Sequence, residues 1–277
     1  GRASFFISRA VRAGMYCGRE GRGGKRRNAH RQQHSGCRLP RPEPQEDHAD
    51  QDEDEDEEVS DMSEYVITIN STSDLPKEWV WERKIPVVPL NCTIGGNTYR
   101  DMYDLSADEF YGMLRAGEMA VTSQPSPQAA IDMLEPILKE GKDILHLSFS
   151  SGLSGTYNSM CIAAEELQEK YPERKIVVID TLCASLGEGL IDYKALELQK
   201  EGKSLEEVAQ WVEENKLKIC HFFMVEDLNH LQKGGRISKT AAVLGTMVQI
   251  KPIIYLDNEG KLQIIKKERG RKKAMNK

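Results

Sequence analysis

The sequence predicts an α/β protein with two lobes. A mostly parallel sheet with helices on both faces is expected over residues 62–216, followed over residues 217–277 by an incomplete second α/β lobe. Two patterns support this fold class. Short runs rich in β-branched residues alternate with helical patterns, which is the order of βαβ units in a parallel sheet. The apolar runs are continuous rather than alternating, as expected of strands covered on both faces.

The first lobe has four predicted strands and two helices with clear start signals. Ser126 is placed as an N-cap before Pro127, and Ser204 and Glu207 have the spacing of a capping box. Pro136 lies inside the first of these helices and is expected to kink it. The strands are "YVITI" (65–69), "VVPL" (87–90), "DILHLSF" (143–149) and "KIVVID" (175–180).

The second lobe has a different order of predicted elements. The run "KICHFFMV" (218–225) predicts a strand, and residues 251–270 predict two strands around an Asn-Glu-Gly turn. A short helix is expected over residues 239–248. The chain stops at Lys277, soon after a strand, with little apolar sequence left to close a core. We therefore expect this lobe to be truncated at its C-terminus.

Residues 1–61 do not resemble either lobe. Residues 1–44 are rich in Arg and Lys, whereas residues 46–58 are almost wholly acidic. Such blocks cannot bury enough apolar surface to offset the entropy lost on ordering, so we expect both to be disordered. Met62 resembles a natural start, which favours a non-native leader. A transit or signal sequence and a regulatory tail are the alternatives.

Composition excludes several classes of function. The chain has a net charge of −6, and residues 62–277 contain no basic stripe of the kind that binds nucleic acid. No apolar run reaches the roughly 18 residues of a membrane span. The cysteines of this part show neither metal-ligand nor disulfide spacing, so we expect reduced thiols, no metal and a cytoplasmic location. They are Cys92, Cys161, Cys183 and Cys220.

Three polar loops stand where strands meet helices: "NSTSD" (70–74), "TSQPSP" (122–127) and "SSGLSGT" (150–156). Ligands of doubly wound sheets gather beyond the carboxyl ends of the strands. A helix N-terminus offers free N–H groups and a partial positive charge, so added hydroxyls make a site for a carboxylate or a phosphate. Each loop could also be a simple cap or turn. The recurrence of the pattern favours a shared polar pocket.

A nucleophilic serine is the alternative function. Ser154 stands between a strand and a helix, as the serine of a hydrolase does, but Thr156 replaces the final glycine of the G-x-S-x-G elbow. The histidines of this part are His146, His221 and His230, and none has a spacing that pairs it with a nucleophile. A stand-alone serine esterase or lipase-like enzyme that uses Ser154 is therefore the weaker hypothesis.

The stretch "LQKGGRISKT" (231–240) is the other distinctive motif. Its glycines permit a sharp turn or a close backbone approach, and Lys233 and Arg236 flank them. It does not match the phosphate-binding loop of nucleoside triphosphatases. Either this is a solvated turn, or Arg236 faces an anion or a partner protein, because a guanidinium binds phosphate and carboxylate in a fork.

Seven segments together resemble the DegV family of bacterial fatty-acid-binding proteins. The combination of "TSQPSP", "SSGLSGTY" and "KGGRIS" is the most specific part of this resemblance. The segments are "NSTSDLP" (70–76), "PVVPLNCTIGGNTYRD" (86–101), "TSQPSP" (122–127), "SSGLSGTYNSM" (150–160), "DTLCASLGEG" (180–189), "DLNHLQKGGRIS" (227–238) and "IKPII" (250–254).

The resemblance implies a binding protein rather than an enzyme. A long-chain fatty acid would lie between an N-terminal DegV-type lobe and a C-terminal lobe, with no other cofactor. In this family, the binding subunit presents the acid to a separate fatty acid kinase, which makes acyl phosphate for phospholipid synthesis. Residues of "FFMV" (222–225) and "AAVLGTMV" (241–248) are candidates to line the acyl chain.

The resemblance also implies which residues hold the ligand. Ser154 and Thr122 are expected to bind the carboxylate, with Ser151 and Thr156 as neighbours, and Arg236 is expected at the phosphoryl-transfer edge or the kinase contact. Two features depart from the family pattern. Asn70 stands where the family usually has Asp, and the family's last portion, which brings a histidine to the head group, is absent.

Overall fold

The computed structural model describes residues 64–225, 228–237 and 250–276. Its strands are β1 (Tyr65–Asn70), β2 (Val87–Val88), β3 (Asn91–Ile94), β4 (Asn97–Arg100), β5 (Val121–Ser123), β6 (Asp143–Ser148), β7 (Ile176–Asp180), β8 (Phe222–Met224), β9 (Ile250–Leu256) and β10 (Leu262–Arg269). Its helices are α1 (Lys77–Glu82), α2 (Ala107–Arg115), α3 (Pro127–Lys139), α4 (Thr156–Lys170), α5 (Leu186–Lys200), α6 (Leu205–Asn215), α7 (Asn229–Lys233) and α8 (Arg271–Met275). Single 3-10 turns occupy Ser71–Ser73 and Lys216–Lys218.

The central sheet is parallel and has the strand order β2-β1-β6-β7. On one face, Ile69 of β1 and Leu147 of β6 share a core with buried residues of α1, α5 and α6. On the other face, Ile144 packs with α3 and α4. Parallel neighbours need crossover connections, and the two cores show that these helices cover both faces of the sheet. The predicted α/β class with a mostly parallel sheet is confirmed.

The start signals of two helices are also confirmed. The Ser126 hydroxyl accepts a hydrogen bond from the Ala129 N–H at 3.1 Å, and α3 continues from Pro127 through Pro136 to its end. At the start of α6, the Ser204 hydroxyl accepts from the Glu207 N–H while the Glu207 carboxylate accepts from the Ser204 N–H. Each cap satisfies backbone groups that a helix end leaves unpaired.

A small antiparallel sheet of order β4-β3-β5 lies between α1 and α3 in the sequence, and sequence patterns did not predict it. Gly95 and Gly96 form its tight turn, with φ of +58° and +79°. These values favour glycine because a Cβ would be strained there. Phe110 of α2 is fully buried against this sheet with Cys92 and gives it a separate small core.

A third, antiparallel sheet of order β10-β9-β8 contains the predicted C-terminal hairpin. The strand predicted from residue 218 starts only at Phe222, because residues 216–218 form a 3-10 turn. The helix predicted over 239–248 and the leader predicted over 1–61 lie outside the described residues. The boundary between lobes at residue 216 stays a prediction.

The third sheet packs on the loops that follow β6 and β7. Phe149 and Leu153 from the first of these loops share one core with Phe223, Ile254 and Leu262 of the sheet. This contact places the C-terminal hairpin beside the polar loop 150–156. Among the residues that the structure describes, no helix has the length and apolar character needed to cross a bilayer.

Candidate functional site

The loops after β1 and β6 are joined by Asn70. Its Oδ1 accepts hydrogen bonds from the Phe149 N–H at 3.0 Å and from the Ser148 hydroxyl at 3.3 Å, and its Nδ2 donates to the Val88 carbonyl at 3.2 Å. Asn70 is fully buried. A neutral amide can accept on one side and donate on the other, whereas an ionised aspartate can only accept. Asn70 therefore satisfies the Val88 carbonyl without burying a charge.

Two external contacts fix the start of the polar loop 150–156. The Ser150 hydroxyl donates to the Gly260 carbonyl at 2.8 Å, so the loop is attached to the turn between β9 and β10. The exposed Ser151 donates its N–H to Asp180 Oδ1 at 3.1 Å. The loop is thus held by the third sheet on one side and by the end of β7 on the other.

Ser154 and Thr156 form a hydroxyl pair at the start of α4. Their oxygens lie 2.8 Å apart, and the Thr156 N–H also donates to Ser154 Oγ at 3.3 Å. Ser154 is 8% exposed and Thr156 is fully buried. Because the pair lies at the start of a helix of fifteen residues, the partial positive charge and the other N–H groups of its N-terminus lie next to the two hydroxyls.

No histidine is bonded to Ser154 among the described contacts. His146 is fully buried in β6, its Nδ1 is 2.8 Å from the Thr68 hydroxyl, and burial lowers its pKa to about 3. His221 lies over Gly187, where a Cβ would stand 2.4 Å from its Nδ1. The side chain of His230 is outside the described residues. These contacts do not favour the esterase alternative, because a serine nucleophile needs an adjacent base.

The loop 122–127 reaches the same helix N-terminus through Gln124, a residue that the sequence analysis missed. Gln124 Nε2 donates to the Ser159 hydroxyl at 2.9 Å, and its Oε1 lies 2.3 Å from where a Cβ on Gly155 would stand. Only glycine at position 155 leaves room for this side chain. The sequence signal that could have indicated this contact is Gly155, which stands between the hydroxyl residues Ser154 and Thr156. Thr122 lies on β5, and its Oγ1 is buried with no hydrogen-bond partner in the described part of the chain.

Replacing Gly155 with alanine is expected to displace Gln124 and to lower the free energy of unfolding by about 1 kcal/mol, since the Gln124–Ser159 bond is lost. A double-mutant cycle in urea unfolding checks this. If Gln124 is the obstruction, Gly155→Ala costs much less in a Gln124→Ala background. Additive losses would contradict the packing described.

The loop after β1 differs from the other two polar loops. Ser71, Thr72 and Ser73 are all buried, and their hydroxyls point toward the interior. Ser71 Oγ accepts from the Leu90 N–H at 3.1 Å, and the Thr72 hydroxyl donates to Glu188 at 2.8 Å. This turn therefore supports the site from beneath and does not open onto it.

Arg236 is tied to the polar loop as well. Its Nε donates to the Leu153 carbonyl at 2.9 Å, and its Nη1 contacts the Gly234 carbonyl. Arg236, Ser151 and Ser154 line one open cleft of about 930 Å³, whereas Thr122 and Thr156 are not among its lining residues. The cleft is bounded by residues 151–155, 234–237 and 261–264.

The segments proposed to line an acyl chain are only partly described. Phe223 and Val225 are buried in the core that also holds Leu153 and Leu262, two apolar residues of the cleft wall. Phe222 is 56% exposed. Residues 241–248 lie outside the described part. Within residues 64–225, 228–237 and 250–276, no group of three or more His, Cys, Asp or Glu side chains is placed to hold a metal ion.

The sequence matches a known family over this same region. A family model described as "Uncharacterised protein, DegV family" covers residues 64–277. A DegV domain-containing protein of Clostridium perfringens is 46% identical over 216 residues, which make up 77% of this chain and 74% of that protein.

Solved structures show the same fold. A DegV family protein from Thermus thermophilus, described for its fatty acid binding, aligns with a TM-score of 0.67 and 37% identity over 76% of this chain and 74% of that one. A stearic-acid-binding protein from Eubacterium ventriosum aligns with a TM-score of 0.71 and 28% identity over 76% and 73%. The resemblance drawn from the polar motifs is confirmed, and the chain belongs to the DegV family.

Proposed function

We propose that this protein binds a long-chain fatty acid and holds its carboxylate with the hydroxyls of Ser154 and Thr122, beside Ser151 and Thr156. The observation that carries the proposal is the Ser154–Thr156 pair at the N-terminus of α4, of which Ser154 lines the cleft that Arg236 also lines. The fatty acids named for the structures from Thermus thermophilus and Eubacterium ventriosum support the choice of ligand.

The hydroxyl pair has one proton to give to a ligand. Each hydroxyl carries a single proton, and one of the two is used in the bond between Ser154 and Thr156. Either hydroxyl can be the donor in this bond. Because Thr156 is fully buried and does not line the cleft, we assign its proton to Ser154 Oγ, which leaves the Ser154 proton for a ligand. An ionised carboxylate is costly to desolvate unless charge-assisted hydrogen bonds replace its water.

Thr122 supplies a second donor. Its Oγ1 is buried with no partner among the described residues, and such a group is costly unless a ligand or water satisfies it. Gln124 holds the Thr122 loop against the first turn of α4. Thr122 does not line the cleft itself, so its hydroxyl would approach the head group from the neighbouring strand β5. Four cleft residues, namely Leu153, Ile237, Leu262 and Ile264, offer apolar surface to the chain. Each buried methylene contributes about 0.8 kcal/mol, so the chain supplies most of the affinity.

The protein is further proposed to be the binding subunit of a two-component fatty acid kinase in the cytoplasm. It would not catalyse a reaction itself but would present the carboxylate to a separate kinase, which forms acyl phosphate for phospholipid synthesis. Arg236 would lie at that edge of the site. Its guanidinium donates to the Leu153 carbonyl and is thereby fixed beside the polar loop 150–156, which we call the head-group loop.

Stearic acid titration of purified Ser154→Ala and Thr122→Val variants tests the assignment. Each variant is expected to bind at least roughly tenfold more weakly than wild type, because a hydrogen bond to a charged group is lost. Ser123→Ala is the matched control, since Ser123 is exposed and its side chain alternates with that of Thr122 along β5. Equal affinities for Ser154→Ala and Ser123→Ala would refute the role of Ser154, and serine-dependent ester hydrolysis would support the esterase instead.

A further inference from the structure

Two carboxyl groups lie fully buried beneath the turn after β1. Glu188 and Asp192 are one helical turn apart on α5, and both are 0% exposed. Glu188 Oε1 accepts a hydrogen bond from the Thr72 hydroxyl at 2.8 Å, whereas Glu188 Oε2 and both oxygens of Asp192 have no hydrogen-bond partner in the described chain. Ser73 lies beside Asp192 without reaching hydrogen-bond geometry. We call Glu188, Asp192 and Thr72 the carboxyl clamp.

The surroundings of the clamp favour carboxylic acids over carboxylates. Burial, followed by the charge of Asp192, raises the pKa of Glu188 well above its usual range, and Asp74 and Asp180 act in the same direction while the Thr72 hydroxyl opposes them. Burial also raises the pKa of Asp192 well above its usual range, opposed by Ser73. Isolated charges are costly to bury, so a group in such a place keeps its proton instead.

In the described part of the chain, no cation forms an ion pair with Glu188 or Asp192. Lys216, whose charge acts on the neighbouring Cys183, donates its ammonium to the Asp180 carbonyl at 3.0 Å and forms an ion pair with Glu213 at 2.7 Å. The Cys183 thiol faces the same carboxyls, and burial raises its pKa. On the far side of the turn, burial raises the pKa of Asp101, beside Ser71, to about 7. The turn after β1 is therefore enclosed by acidic side chains. These acids are neutral while protonated, and they repel one another once they ionise.

We propose that the carboxyl clamp is a proton-binding switch, which holds the turn after β1 while protonated and weakens fatty-acid binding when it loses its protons. The second part of this proposal, the weakening of fatty-acid binding, rests on the proposed function. Its first part concerns folding alone and can be tested without a ligand.

Two sets of contacts connect the clamp to the head-group loop. Asn70 directly precedes the turn, and its side chain holds the Phe149 N–H at the base of the loop. Asp180, whose charge acts on Glu188, accepts from the N–H groups of Ser151 and Leu182 at 3.1 and 3.0 Å. New negative charge on Glu188 repels Asp180 and thereby disturbs the placement of Ser151. Movement of the turn also shifts Asn70, which in turn disturbs the Phe149 N–H at the base of the head-group loop.

The direction of the pH dependence follows from proton binding. Between the ordinary pKa of a carboxyl and the raised pKa in the folded protein, the folded state holds protons that the unfolded state has lost. Stability is therefore unreduced below the ordinary range and falls as pH rises. For each retained proton, the folding constant drops by up to about tenfold per pH unit across that window.

The experiment compares wild type with Glu188→Gln/Asp192→Asn, in which neutral amides mimic the protonated acids. Urea unfolding and stearic acid affinity are measured from about pH 5 to about pH 9. Glu165→Gln, which removes an exposed carboxyl on α4, is the control. Taking each affinity as a ratio to wild type cancels the titration and self-association of the fatty acid. The single variant Glu188→Gln and the infrared band of protonated carboxylic acids give independent readouts if the double variant folds poorly.

We expect wild type to lose stability relative to the double variant as pH rises, and the affinity ratio to grow about tenfold over the alkaline half of the range. Parallel stability curves, or an unchanged acid band in Glu188→Gln at neutral pH, would overturn the switch. Diverging stability with a constant affinity ratio would overturn its link to the ligand. If neither protein binds stearic acid at any pH, the proposed function fails, and the stability curves alone decide whether the clamp binds protons.

Discussion

Replacing Gly260 with alanine is expected to lower the free energy of unfolding by about 3 kcal/mol and to weaken fatty-acid binding. Gly260 has a φ of +68°, and a Cβ there would stand 2.0 Å from Ser150 Oγ and 3.2 Å from the Leu182 backbone. The left-handed backbone alone costs an alanine about 1–2 kcal/mol. The overlap adds the loss of the hydrogen bond from Ser150, which attaches the head-group loop to the third sheet.

The control variant Gly96→Ala separates the cost of the left-handed backbone from the cost of the overlap with Ser150. Gly96 has a φ of +79° in the turn between β3 and β4, with no atom within 4 Å of the added methyl group. It should show the backbone cost alone and leave stearic acid affinity unchanged. Urea unfolding and ligand titration of both variants provide the comparison. If the two alanines are equally destabilising and neither changes affinity, the Ser150–Gly260 contact does not organise the site.

The second large effect is expected at Gly189, where alanine should lower the free energy of unfolding by about 2 kcal/mol. In most helices this substitution is stabilising by roughly 0.5–1 kcal/mol. At Gly189, however, a Cβ would lie 2.5 Å from the Ser73 carbonyl oxygen and 3.2 Å from the Leu75 side chain. Because a backbone oxygen cannot move aside as a side chain can, α5 must shift away from the turn after β1.

The matched control is Gly112→Ala in α2, a helical glycine with open space at its Cβ position. This variant should be more stable than wild type, so the same substitution is expected to have opposite signs in the two helices. Thermal unfolding measures both. A stabilised Gly189→Ala protein would mean that α5 does not pack against the turn as closely as described, which would also weaken the case for the carboxyl clamp.

The sequence predicted the elements whose burial is uniform or whose caps are distinctive. The strands β1, β6 and β7 are runs rich in β-branched and other apolar residues, and α3 and α6 begin at capping serines. Helix α5 has no comparable signal, because its buried face includes Gly187, Glu188 and Asp192 in addition to apolar residues. The sheet β4-β3-β5 was missed because its strands span three or four residues each, too few for a period to emerge.

The sequence predicted the residue types of the site but not the tertiary contacts that join them. The motifs identified hydroxyls at the carboxyl ends of strands, and the structure brings the loops of Thr122 and Ser154 to one helix N-terminus through Gln124. No periodicity indicates that the hydroxyls of Ser71 to Ser73 turn inward. That outcome depends on carboxyls more than a hundred residues later in the chain, such as Glu188, which only tertiary structure brings close.

The contact between Ser150 and Gly260 also orders events during protein synthesis. The two residues are 110 positions apart, so at typical translation rates the ribosome adds Gly260 roughly 5–20 s after Ser150. From the completion of β7 at Asp180 onward, the parallel sheet has all its strands, but the head-group loop still lacks the hairpin that anchors it. A nascent chain is therefore expected to complete its sheet before the loop proposed to hold the head group is anchored.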